Sequence, residues 1–190
     1  VGLPRQRDQR GLHPADTITD VGSEAFLMES QLDDIIYVET WKCTPDGVVN
    51  MQSDGGLFSA LFAGSSGLVK SETVSVQGMT LPLSIAPGDE WDQTTEVTFT
   101  SPSASGPATL THKAEAIGPE SVTVPAGTFE ARRIDVQSTM QSALFGGDDI
   151  SFEATYWLVP ELGLVRMAGA GEALGTEFKS EIELVAASLP

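Results

Sequence analysis

The sequence predicts an all-β protein, an antiparallel meander of about nine to ten strands preceded by an extended N-terminal arm. Three observations carry this expectation. From Tyr37 onward apolar and polar residues alternate with a period of two in run after run, as in strands with one buried and one wet face. Pro-then-Gly punctuation separates several of the runs, at spacings that suit hairpins. No segment holds a helical period beyond a turn or two, which leaves little room for helices.

Residues 1–30 read as the arm and 31–190 as the β-domain. "VGLPRQRDQR" (1–10) gathers Arg5, Arg7 and Arg10, in a chain with only ten Lys and Arg in all. "GLHPADTITDVGSE" (11–24) is poor in apolar residues and interrupted by Gly and Pro. Such a composition makes an arm rather than a core, and an ordered arm must lie on its own domain or on a neighbour. Next, "IIYVETWKC" and "GVVNMQ" flank the turn "TPDG". "WDQTTEVTFT" sets Trp91, Thr95, Val97 and Phe99 on or near one face, with Asp92, Thr94, Glu96 and Thr98 on the other. "SFEATYWLV" places Phe152, Ala154, Tyr156 and Leu158 together, and "TEFKSEIELVA" opposes Phe178, Ile182 and Leu184 to Glu177, Lys179, Glu181 and Glu183.

The turns have a backbone rationale. Pro45 and Gly47 in "TPDGV", and Pro125 and Gly127 in "VPAGT", fit a type I turn followed by a glycine bulge in a three-residue hairpin. Pro160 and Gly163 in "VPELGLV" punctuate the chain in the same way.

Composition bounds the function. The 190 residues suit one domain, or one domain with an arm, and 41% hydrophobic content is ordinary for a packed core. A formal charge of −17 argues against nucleic-acid binding, which needs a concentrated basic surface, and against docking on anionic lipid. The lone Cys43 excludes a disulfide framework within the chain; it reads as a small buried hydrophobe on a strand, or as a thiol for an intermolecular bond. No apolar run approaches the length of a transmembrane helix. Val1 in place of Met reads as a processed N-terminus or an engineered boundary, and it supplies no lipid-anchoring Cys.

"VTVPAGTFEARRI" followed by "TYWLVPELGLVR", with "WKCTPDGVV" and "LPLSIAPGDEW" upstream, resembles a family of uncharacterised exported bacterial β-proteins, a domain of unknown function sometimes called TapB-like. The similarity spans roughly residues 37–185. The resemblance implies a curved antiparallel sheet or half-barrel, related in fold to the half-barrel lipoprotein carriers, and an extracytoplasmic location. It brings no catalytic residues.

Side chains for catalysis are scarce. His13 and His112 are the only histidines; His112, within "ATLTHKAEA", reads as a strand surface residue rather than a general base. "AGSSG" (63–67) lacks nucleophile-elbow spacing, and no phosphate-binding or dinucleotide loop occurs. No enzyme activity and no cofactor are therefore expected. Acidic pairs at Asp33–Asp34, Asp89–Glu90 with Asp92, and Asp148–Asp149 lack calcium-loop spacing. No metal site is assigned, and Asp148 and Asp149 are the nearest to a calcium pair.

"SALFAG" (59–64) and "SALFGG" (142–147) are nearly identical and lie between strands. With the adjoining Leu57 and Phe58, they offer Leu61 and Phe62, then Leu144 and Phe145. These side chains either fold inward as lids over the end of the sheet or form an exposed patch for a partner or ligand.

The sequence thus favours a non-enzymatic extracytoplasmic β-domain that assembles, with itself or with another envelope or extracellular protein, through its arm and apolar loops. The alternative is a carrier or sensor that holds an apolar small molecule or lipid in the concave face of a half-barrel.

Overall fold

The computed structural model describes residues 15–22, 24–32, 35–51, 70–100, 104–145, 149–160, 162–173 and 175–185. They form two open antiparallel sheets, and neither closes into a barrel. The smaller sheet runs, in spatial order, β1 (Ala15–Val21), β2 (Ala25–Leu32), β3 (Ile35–Thr44), β4 (Gly47–Asn50) and β6 (Leu81–Pro82). The larger runs β12 (Thr176–Glu183), β11 (Gly163–Ala173), β10 (Ile150–Val159), β9 (Gly127–Ser142), β8 (Ser105–Val124), β7 (Glu90–Thr100) and β5 (Lys70–Gly78). A 3-10 turn, Ala143–Phe145, follows β9.

The all-β class holds, with more strands than the alternation alone reveals. Residues 15–32 form a hairpin, and β2 pairs with β3 of the same chain, Phe26 opposite Trp41 and Met28 opposite Glu39. The expected arm boundary at residues 30/31 therefore falls inside β2. Phe26 and Trp41 stack with ring centroids 6.1 Å apart, so a segment that looked too polar for a core is held by one cross-strand aromatic pair and a backbone ladder. Residues 1–14 lie outside the described part of the chain.

Hairpins join most neighbours. Val124 pairs with Gly127, leaving Pro125 and Ala126 between the strands, and Thr44 pairs with Gly47 across Pro45 and Asp46. Both loops are one residue shorter than the three-residue form the sequence suggests. Gly127 sits at φ 140° and Gly163, at the start of β11 after Pro160, at φ 90°.

The inner face of the larger sheet follows from register. Gln93, His112, Ser138, Phe152, Gly171 and Phe178 lie opposite one another in one row across six strands. The smaller sheet covers this face: Gln93 hydrogen-bonds to Asn50, and Glu39 of β3 lies near enough to Tyr156 of β10 for its charge to act there. Apolar clusters fill the same face. Val97, Phe99, Ala108, Leu110, Met140 and Ile150 form one, and Phe152, Ala154 and Met167 another.

A bulge reverses the burial pattern further along. The β8–β9 register shifts between Ala116 and Gly118. Gly118 takes φ 135°, a region that favours glycine, and Pro119 follows it without an N–H for the ladder. A one-residue bulge exchanges the faces of the strand, so Val122 and Val124 turn to the opposite, open face. There they pack with Ala131, Trp157 and Val165 as a third cluster. The hairpin tip is tied down by Ala126 N–H donating to the Leu184 carbonyl at 3.1 Å.

Two residues differ from expectation. His112 belongs to the covered inner face, half-buried, rather than to a strand surface. Cys43 is exposed rather than buried: it shares a face with buried Glu39 and half-buried Trp41, but lies at the end of β3 beside the turn, where exposure rises along that face.

Candidate functional site

Residues that alternate with the inner row point to the open face, and in mid-sheet they are strongly acidic. Glu90 and Asp92 on β7, Lys113 and Glu115 on β8, Asp135 and Gln137 on β9, and Glu153 and Thr155 on β10 line a trough of about 740 Å³ that crosses these strands. Its floor is the backbone of Trp91, Ala114, Val136 and Ala154, whose side chains belong to the other face.

Register sets three of the acids in a ladder. Glu90 lies directly opposite Glu115, and Glu115 directly opposite Asp135. Like charges facing each other on neighbouring strands destabilise a sheet. Asp135 has compensation: Arg133 Nε donates to its Oδ1 at 3.0 Å, Arg133 Nη2 to its Oδ2 at 2.9 Å, and the Thr155 hydroxyl to Oδ1 at 2.8 Å. Burial pushes the Asp135 carboxyl up, but these hydrogen bonds and the Arg133 charge outweigh it and hold the group below its usual range. The hydrogen bond to Asp135 in turn raises the Arg133 guanidinium. Glu90, Asp92, Glu115 and Glu153 form no ion pair among the described residues.

The next open-face row, beyond the trough lining, sets Arg133, Trp157 and Arg166 side by side on β9, β10 and β11. The Arg166 guanidinium lies over the Trp157 ring, 5.1 Å from its centroid, and Nη2 reaches Glu181 Oε1 at 2.7 Å. A cation over an indole face is attracted by the ring quadrupole.

A second polar constellation joins the sheets. Asn50 N–H donates to the Thr80 hydroxyl at 2.7 Å, the Thr80 hydroxyl donates to Gln93 Oε1, and Gln93 Nε2 donates to the Asn50 carbonyl at 2.9 Å. Asn50 Nδ2 donates to Glu39 Oε1 at 2.9 Å. Glu39 and Gln93 are buried, and buried polar groups of this kind need such partners. Burial, with the Glu39 charge, pushes the Tyr156 phenol up to about 12. Beside Gln93, His112 Nδ1 lies 2.7 Å from the Ser138 hydroxyl, and burial lowers the imidazole pKa.

Among the residues singled out from sequence, Leu57, Phe58, Leu61, Phe62 and Asp148 lie outside the described part of the chain. Leu144 is half-buried against the cluster around Phe99 and Met140, so its apolar surface is used within the chain. Phe145 ends the 3-10 turn. Asp149 is exposed and accepts from Gln141 Nε2 at 3.1 Å. Among the described residues no cluster of three metal-ligating side chains occurs. Sequence reading noted Asp89, Glu90 and Asp92 but missed Glu115, Asp135 and Glu153. Their shared signal was an acidic residue at the wet position of successive strands, which acquires meaning only once the strands are in register.

Fold and site together define an open, two-sheet antiparallel β-domain with an acidic trough on the face of the larger sheet that, among the described residues, the smaller sheet does not cover. The DUF3108-like family matches residues 72–168, just over half of the chain, and the chain belongs to that family. A crystal structure of a protein from Bacteroides fragilis, proposed to be exported and having a YmcC-like fold, is similar at a TM-score of 0.52 and 14% identity over 88% of this chain and 83% of that one. That likeness supports the fold. None of the curated proteins compared matches this sequence.

Proposed function

We propose that the protein is a non-catalytic β-domain that acts outside the cytoplasm as an assembly subunit, joining copies or partners through its free sheet edges. The observation that carries this reading is that, among the described residues, five of the seven exposed large hydrophobic side chains lie at sheet edges, the exceptions being Val38 on β3 and Ile117 at the β8 bulge. Val21 (74% exposed) and Ile18 lie on β1, Val74 (64%) on β5, Leu83 (80%) directly after β6, and Val185 just beyond β12. These sites mark the four edges of the two sheets. An edge strand presents unpaired N–H and C=O groups to an incoming strand, and apolar side chains beside it reward that contact. On β12 the charges of Glu177, Lys179 and Glu181 blunt the edge. β5 is the more receptive edge of the larger sheet, since its register shift between Thr73 and Ser75 leaves Val74 facing outward.

A non-catalytic role fits the placement of the contact between His112 and Ser138, which lies between the sheets with Ser138 only 4% exposed. A carrier for an apolar molecule, such as the related half-barrel carriers of the TapB-like reading would suggest, needs an apolar hollow. The trough is lined by carboxylates, a lysine and an amide, and this favours assembly. An extracytoplasmic site is supported by the family resemblance and by the similarity to a Bacteroides fragilis protein proposed to be exported.

The test is the mass of the particle in solution. Native mass spectrometry of the full chain should give multiples of 20.1 kDa, and Val21→Lys with Val74→Lys should shift the population toward monomer. A monomer at every concentration, or a distribution that these substitutions leave unchanged, would refute assembly through the edges.

A further inference from the structure

The edge strand β1 is interrupted in a way that selects its partner. Its register against β2 shifts between Ile18 and Asp20, so Thr19 is an extra residue. One turn bond fixes which way each backbone group faces: Gly22 N–H donates to the Ala25 carbonyl at 2.8 Å. Backbone groups alternate sides along an antiparallel strand, so Leu27 and Glu29 also turn theirs toward β1. Their register partners Asp20 and Thr17 turn back toward β2. Asp16, Ile18 and Val21 therefore direct their N–H and C=O groups to the outer edge of the smaller sheet. A regular strand offers such groups at every second residue and cannot meet Ile18 and Val21 together, which is how a bulge protects an edge from unselected partners. A second copy of β1 carries the same three-residue interval and can meet both.

We propose that β1 is the interface of a closed dimer, in which two copies of the strand pair antiparallel about a two-fold axis between Thr19 and Asp20. The inference rests on the assembly reading and names the partner, the edge and the register within it. Ile18 then lies opposite Val21 of the second copy, and Val21 opposite its Ile18, so the rungs on both sides of the bulge close with backbone hydrogen bonds. The same rungs bring together the exposed apolar side chains of this edge, Ile18 at 58% and Val21 at 74% exposure. Charge selects this register. An axis centred on Ile18 would set Asp16 directly opposite Asp20, and like charges so placed destabilise a sheet; with the axis after Thr19, Asp20 meets Thr19 instead. Both copies carry the same bulge, so their local twists match. The other edges fit less well. β6 is two residues long and ends in Pro82, which has no N–H to donate, and β12 alternates charges through Glu177, Lys179 and Glu181. On β5 the exposed large hydrophobic side chain is Val74, the extra residue of its own register shift. A two-fold contact closes on itself, so the particle stops at two chains.

Disulfide trapping in the full chain tests it, in a Cys43→Ser background because Cys43 is an exposed thiol. On the proposed rung the Cα atoms of Ile18 and of Val21 in the second copy lie about 5.5 Å apart, within disulfide reach. Two copies of Ile18, or two of Val21, are offset by three residues, about 10 Å along the strand, beyond that reach. A mixture of Ile18→Cys and Val21→Cys chains should therefore give a disulfide-linked dimer on mild oxidation, while neither variant alone should. No link in the mixture, an equal link in either variant alone, or a link from Ile18→Cys to Val74→Cys in its place would overturn the proposal. Particle mass supplies a second readout. Ile18→Lys with Val21→Lys sets lysine opposite lysine on both rungs and should convert dimer to monomer, whereas Val74→Lys alone should leave the dimer intact. Ile18 and Val21 are both more than half exposed, so these variants are expected to keep the fold. The two readings fail separately. A particle larger than one chain that survives Ile18→Lys with Val21→Lys keeps assembly and removes the β1 two-fold, whereas a wild-type monomer at every concentration removes both.

Discussion

His112 reaches from β8 to β9, where its Nδ1 meets the Ser138 hydroxyl at 2.7 Å. Burial lowers its pKa below the usual 6.5, so the unfolded chain takes up a proton before the folded one does. The stability this site contributes is therefore fully present above about pH 6.5 and declines as pH falls toward the lowered folded value. Thermal melts from pH 8 to pH 5 should show a steeper fall in Tm for the wild type than for His112→Gln, which retains a polar side chain near Ser138. Parallel curves would contradict the linkage. From the sequence, His112 looked like a surface residue because polar neighbours surround it in "THKAE". Its burial depends on Gln93 and Ser138 standing beside it in the row beneath the smaller sheet, and local alternation carries no such information. Gly171 teaches the same lesson. A Cβ there would lie 2.3 Å from the Ser151 carbonyl and 2.7 Å from the Phe178 ring, so glycine is what lets Phe152 and Phe178 stack at 5.7 Å across that position.

The β8–β9 hairpin is the element that sets the sheet's two burial regimes. Before the bulge at Ala116–Gly118 its inner-face residues are covered; after it, Val122 and Val124 are buried on the open face. The tip is then closed by Ala126 and Leu184. Val124→Ala should cost about 1–3 kcal/mol in chemical denaturation, the range for removing buried methyl groups and leaving a small void. A change below about 0.5 kcal/mol, the level of ordinary surface substitutions, would show that the tip is not packed as described. The turn at Pro125–Gly127 was legible because Pro and Gly state backbone geometry locally. The bulge was not, although "IGPE" contains the glycine and proline that interrupt the ladder.

At the scale of the whole molecule, the sheets are joined by the chain from Glu39 through Asn50 and Thr80 to Gln93. Replacing Gln93 with Leu would remove the side-chain donor to the half-buried Asn50 carbonyl and the acceptor of the Thr80 hydroxyl proton, at about 1–3 kcal/mol for each lost partner. The variant should lose about 2–4 kcal/mol and be cleaved faster by protease between the sheets than a surface control. Unchanged stability would mean that the junction is held by apolar contacts alone. Acid placement also acts at this scale. The charge of −17 is not spread evenly over the wet positions, and a part of it is concentrated where β7 to β10 run side by side.

The sequence by itself determined the all-β class, the antiparallel hairpins and the wet and dry faces of individual strands, because a period of two and the backbone preferences of Pro and Gly act within a few residues. Only the tertiary structure decided which face the second sheet covers, that residues 15–32 join that sheet, and that Glu90, Glu115 and Asp135 meet. These depend on register between strands far apart in the chain and on contacts such as Gln93 to Asn50, 43 residues away. A repeat of two residues looks the same in every register, so the packing of the two sheets has to choose among them.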